Sequence, residues 1–187
     1  MESRRRLQVE GRIFEFMVAV ELLRRGFEVF MPVVDMGLDI IAIKEGRMFF
    51  IQAKKAKYQA ERRRWNFQNV PYSEIDRLLK IDAEHSIALI LGLESPERSS
   101  FNYLIFNRSQ ILDILPKIYH RPNPKRGESI SIILEKTEDP NYVNLLLPSK
   151  VKRRRAERQR LKINNWADLG TIQTPYQETC MLGPDKS

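Results

Sequence analysis

The stretch Gly37-Leu38-Asp39-Ile40-Ile41-Ala42-Ile43-Lys44-Glu45-Gly46-Arg47-Met48-Phe49-Phe50-Ile51-Gln52-Ala53-Lys54 decides the fold. Two apolar runs flank Glu45-Gly46, a dipeptide suited to a tight turn, so Leu38 to Lys44 and Arg47 to Ala53 read as the two strands of a hairpin. Side chains at i and i+2 of a strand share a face, which puts Gln52 and Lys54 together and Ala53 opposite. Pairing across the hairpin brings Asp39 close to both. An acid where one apolar strand begins and a lysine where the next ends are hard to explain by packing, since neither residue type prefers such surroundings.

Upstream, the apolar residues Ile13, Phe14, Met17, Val18, Val20 and Leu22 recur at helical spacing between Val9 and Arg25, and Gly26 is a natural stop. Phe27 to Val34 reads as a strand, giving the order αβββ. Downstream, Lys54 to Pro71 is polar and basic, the composition of a loop or extended arm. Ser73 is placed to cap a helix running to about Glu84 through Ile75, Leu78, Leu79 and Ile81, ahead of a buried strand from Ser86 to Leu93. A turn at Ser95-Pro96 precedes a strand from Phe101 to Phe106, and Ser109 is placed to cap a short helix ending near Pro116. After a Pro-rich loop at 121–127, Ser129 to Leu134 and Tyr142 to Leu147 read as two further strands, closed by Pro148.

The chain's 187 residues suffice for one domain with a real core, so residues 1–150 are read as that domain and 151–187 as a basic C-terminal extension. Within 151–162, Lys152, Arg153, Arg154, Arg155, Arg158, Arg160 and Lys162 stand against one acid, Glu157, and such a run cannot drive its own burial. It reads equally as a helix that orders on a phosphate backbone and as a solvated surface helix. The net charge of +8 favours polyanions through counterion release. One cysteine, Cys180, and two histidines, His85 and His120, rule out an internal disulfide and a structural zinc site. No apolar run is long enough for a bilayer, no signal region is evident, and no Gly-rich phosphate loop is present. The expected setting is cytoplasmic, beside nucleic acid in a nucleoid, with neither membrane nor nucleotide cofactor.

The chemistry that unites the central residues is attack of water on a phosphodiester, which needs a hard divalent cation held by oxygens, a means of forming hydroxide, and positive charge near the phosphate. Asp39 supplies an anionic oxygen, the Gln52 amide a neutral one, and Lys54 the positive charge that orients or activates water. Directly after them, Lys55, Lys57, Arg62, Arg63 and Arg64 interleave with Tyr58, Trp65 and Phe67. The cations suit phosphate contacts that flank the site, as do Arg153, Arg154, Arg155 and Arg158 further on. Trp65 and Phe67 are expected to pack on the core rather than to stack on bases.

In these residues, over about positions 9 to 93, the chain resembles the PD-(D/E)xK nuclease superfamily, and within it the archaeal Holliday junction resolvases and related small endonucleases. The resemblance implies an α/β, restriction-endonuclease-like αβββαβ core with a mixed central sheet flanked by helices. It matches Asp39 to the motif aspartate, Gln52 to the acidic position and Lys54 to the lysine, and it makes Glu15 the metal-associated helix glutamate, with Glu10 and Glu21 as alternatives. Glu15 shares a helix face with Val18, Ala19 and Leu22, so it should need a partner near the sheet, either a metal or Lys54; an ordinary salt-bridged helix residue is the competing reading. Gln52 departs from the glutamate of many members and removes one negative charge, although certain homing endonucleases resemble this chain in using Gln-x-Lys.

The resemblance therefore implies an endodeoxyribonuclease using Mg2+ or Mn2+ on duplex or branched DNA, in a repair, recombination or restriction-like role, with Glu15, Asp39, Gln52 and Lys54 catalytic and Asp39, Gln52 and Glu15 on the metal. It also implies a homodimer, since two scissions need two sites; the sequence itself points to no heptad seam or other interface signature. The alternative is a nucleic-acid-binding protein that keeps the nuclease fold with weak or no catalysis. A basic RNA-associated protein is a third reading of the charge alone.

Overall fold

The computed structural model describes residues 2–33, 37–82, 84–97, 100–123, 127–148 and 156–169. The chain begins with helix α1 (Glu2–Arg24), followed by strands β1 (Glu28–Phe30), β2 (Ile40–Lys44) and β3 (Arg47–Ala56). Glu45 and Gly46 both have positive φ (52° and 73°), the backbone of the two-residue turn whose twist matches paired strands, and Lys44 faces Arg47 across it. Next come β4 (Tyr58–Gln59), a 3₁₀ turn at Ala60–Arg62, β5 (Arg64–Pro71), α2 (Tyr72–Leu79) and β6 (Ser86–Glu94). The chain continues through β7 (Phe101–Asn107), α3 (Arg108–Ile114), β8 (Tyr119–Asn123), β9 (Gly127–Lys136), β10 (Tyr142–Leu147) and β11 (Glu157–Lys162).

The fold is mixed α/β. A five-stranded central sheet has the order β1-β2-β3-β6-β7, with β3 and β6 parallel and its other neighbours antiparallel. A six-stranded antiparallel sheet has the path β11-β10-β9-β5-β4, with β8 also paired to β9. Alternation along the central strands divides the core in two. Ile40, Ala42, Phe49, Ile51, Ala53, Ala88 and Ile90 pack with Phe14, Val18 and Leu22 of α1 on one face. Leu89, Leu91 and Leu93 pack on the other face with Ile75 and Leu78 of α2, Ile111 of α3 and the second sheet's Phe67, Ile132 and Leu134. No helix among the described residues is long and apolar enough to cross a membrane.

Several expectations are corrected. The basic stretch after Lys54 is no loop: β3 runs on to Ala56 and β5 forms the middle of the second sheet, with Trp65 and Phe67 buried and the Trp65 indole N–H donating to the Glu94 carbonyl at 2.8 Å. Burial of alternate aromatics in β5, rather than local composition, determines the outcome. Residues 157–162 are not helical. They pair as an edge strand with β10 from Tyr142↔Lys162 to Leu147↔Glu157, which satisfies the backbone groups of the β10 edge, whereas a helix this polar would have had no apolar face to pack. Neither serine caps its helix: Pro71 precedes α2 with no side-chain cap, while Asn107 caps α3 in a reciprocal box with Gln110. Helix α1 buries Phe14, Val18 and Leu22 but leaves Ile13 and Val20 exposed, so the apolar residues that recur at helical spacing divide between two faces.

Candidate active site

Asp39 lies just before β2 and its N–H donates to the Ile51 carbonyl at 3.1 Å, extending the hairpin ladder by one residue. Since Ile40 and Ala42 face α1, Asp39 faces the other way, and in β3 Gln52 and Lys54 do the same between Ile51, Ala53 and Lys55. The three side chains therefore meet on the α2 side of the sheet. The Gln52 amide Nε2 donates to Asp39 Oδ2 at 2.5 Å, the Ala53 backbone N–H donates to the same oxygen at 2.8 Å, and Lys54 Nζ stands 3.9 Å from it. Lys54 makes its shorter ion pair, 2.9 Å, with Glu74 Oε2 in the first turn of α2.

An open cleft of about 980 Å3 runs between the two helices over the end of the hairpin. Glu15, Asp39, Gln52, Lys54 and Glu74 all line it. Glu15 enters from α1 and pairs with Arg12 at 2.6 Å rather than with Lys54, so the lysine named as its possible partner is committed elsewhere. Of the alternatives, Glu10 binds Lys55 and Lys57 (3.4 and 3.1 Å) and Glu21 binds Arg24 and Arg25, so neither turns to Asp39. Glu74 and Arg12 were missed. Their partnership with the site is tertiary, and the only local signal was an acid in the first turn of a predicted helix.

The electrostatics follow from burial. Desolvation raises the Asp39 pKa above the ordinary carboxylate value; Lys54 and the Ala53 N–H act against this, and the nearby Glu15 and Glu74 charges add to it. Gln52 is almost wholly buried, and its Oε1 has no hydrogen-bond partner among the described residues. Turning the amide over would set that oxygen against the Asp39 carboxylate, so the Asp39 bond fixes the orientation. The cleft thus holds a buried acceptor oxygen without a donor, an unusual and costly arrangement beside a carboxylate. Among the described residues, no three acid, histidine or cysteine side chains are grouped closely enough to hold a metal on their own. Asp39 and Gln52 present oxygens to the cleft that Glu15 also lines, and these are the side chains that could hold a hard cation there.

The basic residues are dispersed. Lys55 points to the α1 side, Arg63 is 3.6 Å from Glu138, Arg64 donates to Gln59, and Arg158 makes a two-pronged pair with Glu135. Arg62 is exposed in the 3₁₀ turn. Arg63 lines a separate depression with Glu135, Asp139 and Arg160, and none of Arg62, Arg63 and Arg64 lines the cleft, contrary to the expectation that they flank it. Arg153, Arg154 and Arg155 lie outside the described residues.

A mixed central sheet between α1 on one face and α2 with α3 on the other, carrying Asp39, Gln52 and Lys54 on one hairpin, is the α/β arrangement expected from the sequence. Two solved structures similar to the chain are both nucleases. One is a Holliday junction resolvase of the archaeal hyperthermophile Archaeoglobus fulgidus, with 16% identity, 66% of this chain and 83% of that chain covered, and a TM-score of 0.44. The other is a bacterial homing endonuclease, with 15% identity, 71% and 77% covered, and a TM-score of 0.46. No protein family's sequence profile matches the chain, and no curated protein matches it significantly.

Proposed function

We propose that the protein is a divalent-metal-dependent endodeoxyribonuclease whose site is the cleft between α1 and α2. The observation that carries this reading is the buried Gln52 Oε1, without a partner among the described residues, beside the Asp39 carboxylate and the Lys54 ammonium. Asp39 and Gln52 would hold Mg2+ or Mn2+, with Glu15 completing the set at the rim. A cation held there would lower the pKa of a bound water and neutralise charge developing on the phosphate. Lys54 orients the attacking water or meets the phosphate oxygen, and its ion pair with Glu74 holds the ammonium at the cleft. The Ala53 N–H and Gln52 Nε2 hold one Asp39 oxygen in place, leaving the other to face outward. The substrate is duplex or branched DNA, cut by a homodimer that brings two sites to two strands.

A second reading, a DNA-binding protein with little catalysis, is favoured by one observation: no three metal-binding acids, histidines or cysteines converge among the described residues, and Gln52 adds no charge. One experiment separates the two. The protein is incubated with supercoiled plasmid and with a four-way junction in Mg2+ or Mn2+, beside Asp39→Ala and Lys54→Ala. Cleavage that falls at least about 100-fold in both variants supports the enzyme. Tight DNA binding by all three proteins, with no cleavage in either metal, supports the second reading instead.

A further inference from the structure

Helix α1 is apolar on two faces, and the described residues of the fold bury only one of them. Phe14, Val18, Ala19 and Leu22 are buried against the central sheet. On the outward side Val9, Ile13, Phe16, Val20 and Leu23 stay roughly half-exposed, Phe16 at 55%. Their spacing is four, three, four, three, the alternation of a helix seam that meets another helix, and it was hidden in the sequence because the inward residues are interleaved with it. A surface helix of a single domain ordinarily carries charge on its outer face.

We propose that this outer face of α1 is the dimer interface, packed against the same face of a second copy. The occupant is argued from spacing and area. A 3.5-residue repeat suits a straight helical partner and not a loop or a strand. The five side chains leave on the order of 400 Å2 of apolar surface exposed, about half of the roughly 800 Å2 per partner in a standard interface whose remainder is polar. That is close to the apolar share such an interface carries, in one contiguous patch of the size that marks functional surfaces on monomers. In an antiparallel isologous contact centred on the stripe, residues midway along it lie nearest the two-fold axis, and Phe16 occupies that position. Val9 belongs both to the stripe and to the lining of the cleft, so the interface reaches the edge of the candidate site. The proposal stands on the exposed seam and does not depend on the nuclease reading.

The full chain is examined by sedimentation velocity from about 1 to 100 µM, beside Phe16→Glu and Ile13→Glu, with far-UV circular dichroism of each. The wild type should sediment at twice its 22.1 kDa mass. Each variant should be monomeric over the same range with an unchanged helical signal, because a buried like-charge pair replaces the apolar contact. Val20→Gln, a milder change, should weaken the dimer at least 10-fold and covers the case in which a glutamate variant fails to fold. A monomeric wild type overturns the proposal. So do variants that remain dimeric, and so does a monomeric wild type whose thermal midpoint drops in Phe16→Glu, which would assign the stripe to a segment of the same chain. DNA cleavage is assayed in parallel, so loss of the dimer and loss of the catalytic reading give different results.

Discussion

Gln52 is the residue on which the site turns. Its Nε2 supports Asp39 while its Oε1 has no donor among the described residues, so the side chain is only half satisfied by them. Replacing it by glutamate removes the bond to Asp39 and adds a buried negative charge. Gln52→Glu should therefore destabilise the metal-free protein by about 2 kcal/mol or more. It should also make the melting temperature rise more steeply with added Mg2+ or Mn2+, both effects being read by thermal denaturation with and without EDTA. Asp39 gives the opposite sign. Its folded pKa is raised, so its contribution to stability is fully present below the unfolded value and is lost as pH rises through the folded one. Asp39→Asn keeps an acceptor for the Ala53 N–H and should leave the metal-free protein at pH 7 as stable as the wild type or more so, while abolishing cleavage. Glu10 behaves as a salt-bridged acid: hydrogen bonding from Lys57 and then Lys55 lowers its pKa to about 2. Its contribution is present above pH 4.5 and is lost as pH falls from there to about 2. Glu10→Gln should flatten that part of a stability-versus-pH curve measured by urea unfolding. Asp39, Gln52 and Lys54 were legible in the sequence because strand alternation and a two-residue turn fix their side. Glu74 and Arg12 were not, since nothing local says which helix approaches which lysine.

Strand β3 joins the core to the site, because its successive side chains are held by different helices. Lys54 reaches Glu74 of α2 and Lys55 reaches Glu10 of α1, from neighbouring positions on opposite faces. On the adjacent β6, Gly92 lies under the Phe14 ring, and a Cβ built there would sit 2.2 Å from Phe14 Cε2. Phe14 is buried and has no room to withdraw. Gly92→Ala should therefore cost about 2 kcal/mol by overpacking, measured by urea unfolding, and Phe14→Leu in the same chain should recover part of it. Elements with a strong local pattern were read correctly: Tyr142 to Leu147 is β10 to the residue. Elements whose formation is decided by distant partners were not. Strand β5 carries its buried aromatics inside a basic, bulged segment, and β11 is a charged edge strand whose only reason to extend is the β10 edge beside it.

At the scale of the whole molecule, the surplus positive charge is not spread evenly toward the cleft. Arg158 is tied to Glu135 on the second sheet, whereas Lys57 lies half-exposed along a groove that shares Lys54, Pro71 and Glu74 with the cleft. If DNA follows that groove, Lys57→Ala should weaken binding evenly across sequences and lower the log–log salt slope by about 0.9, while Arg158→Ala leaves the slope unchanged. Fluorescence anisotropy titrations from 50 to 200 mM salt would register either result. The β2–β3 pairing has an implication for quality control. Were those strands to mate one position out of phase, the glutamine and lysine would be driven into the greasy layer beneath the first helix, and Ile51 and Ala53 would be turned out into water. Such a chain would clump instead of persisting as a soluble impostor, so the fraction of a preparation that stays in solution should carry Asp39, Gln52 and Lys54 on the cleft side.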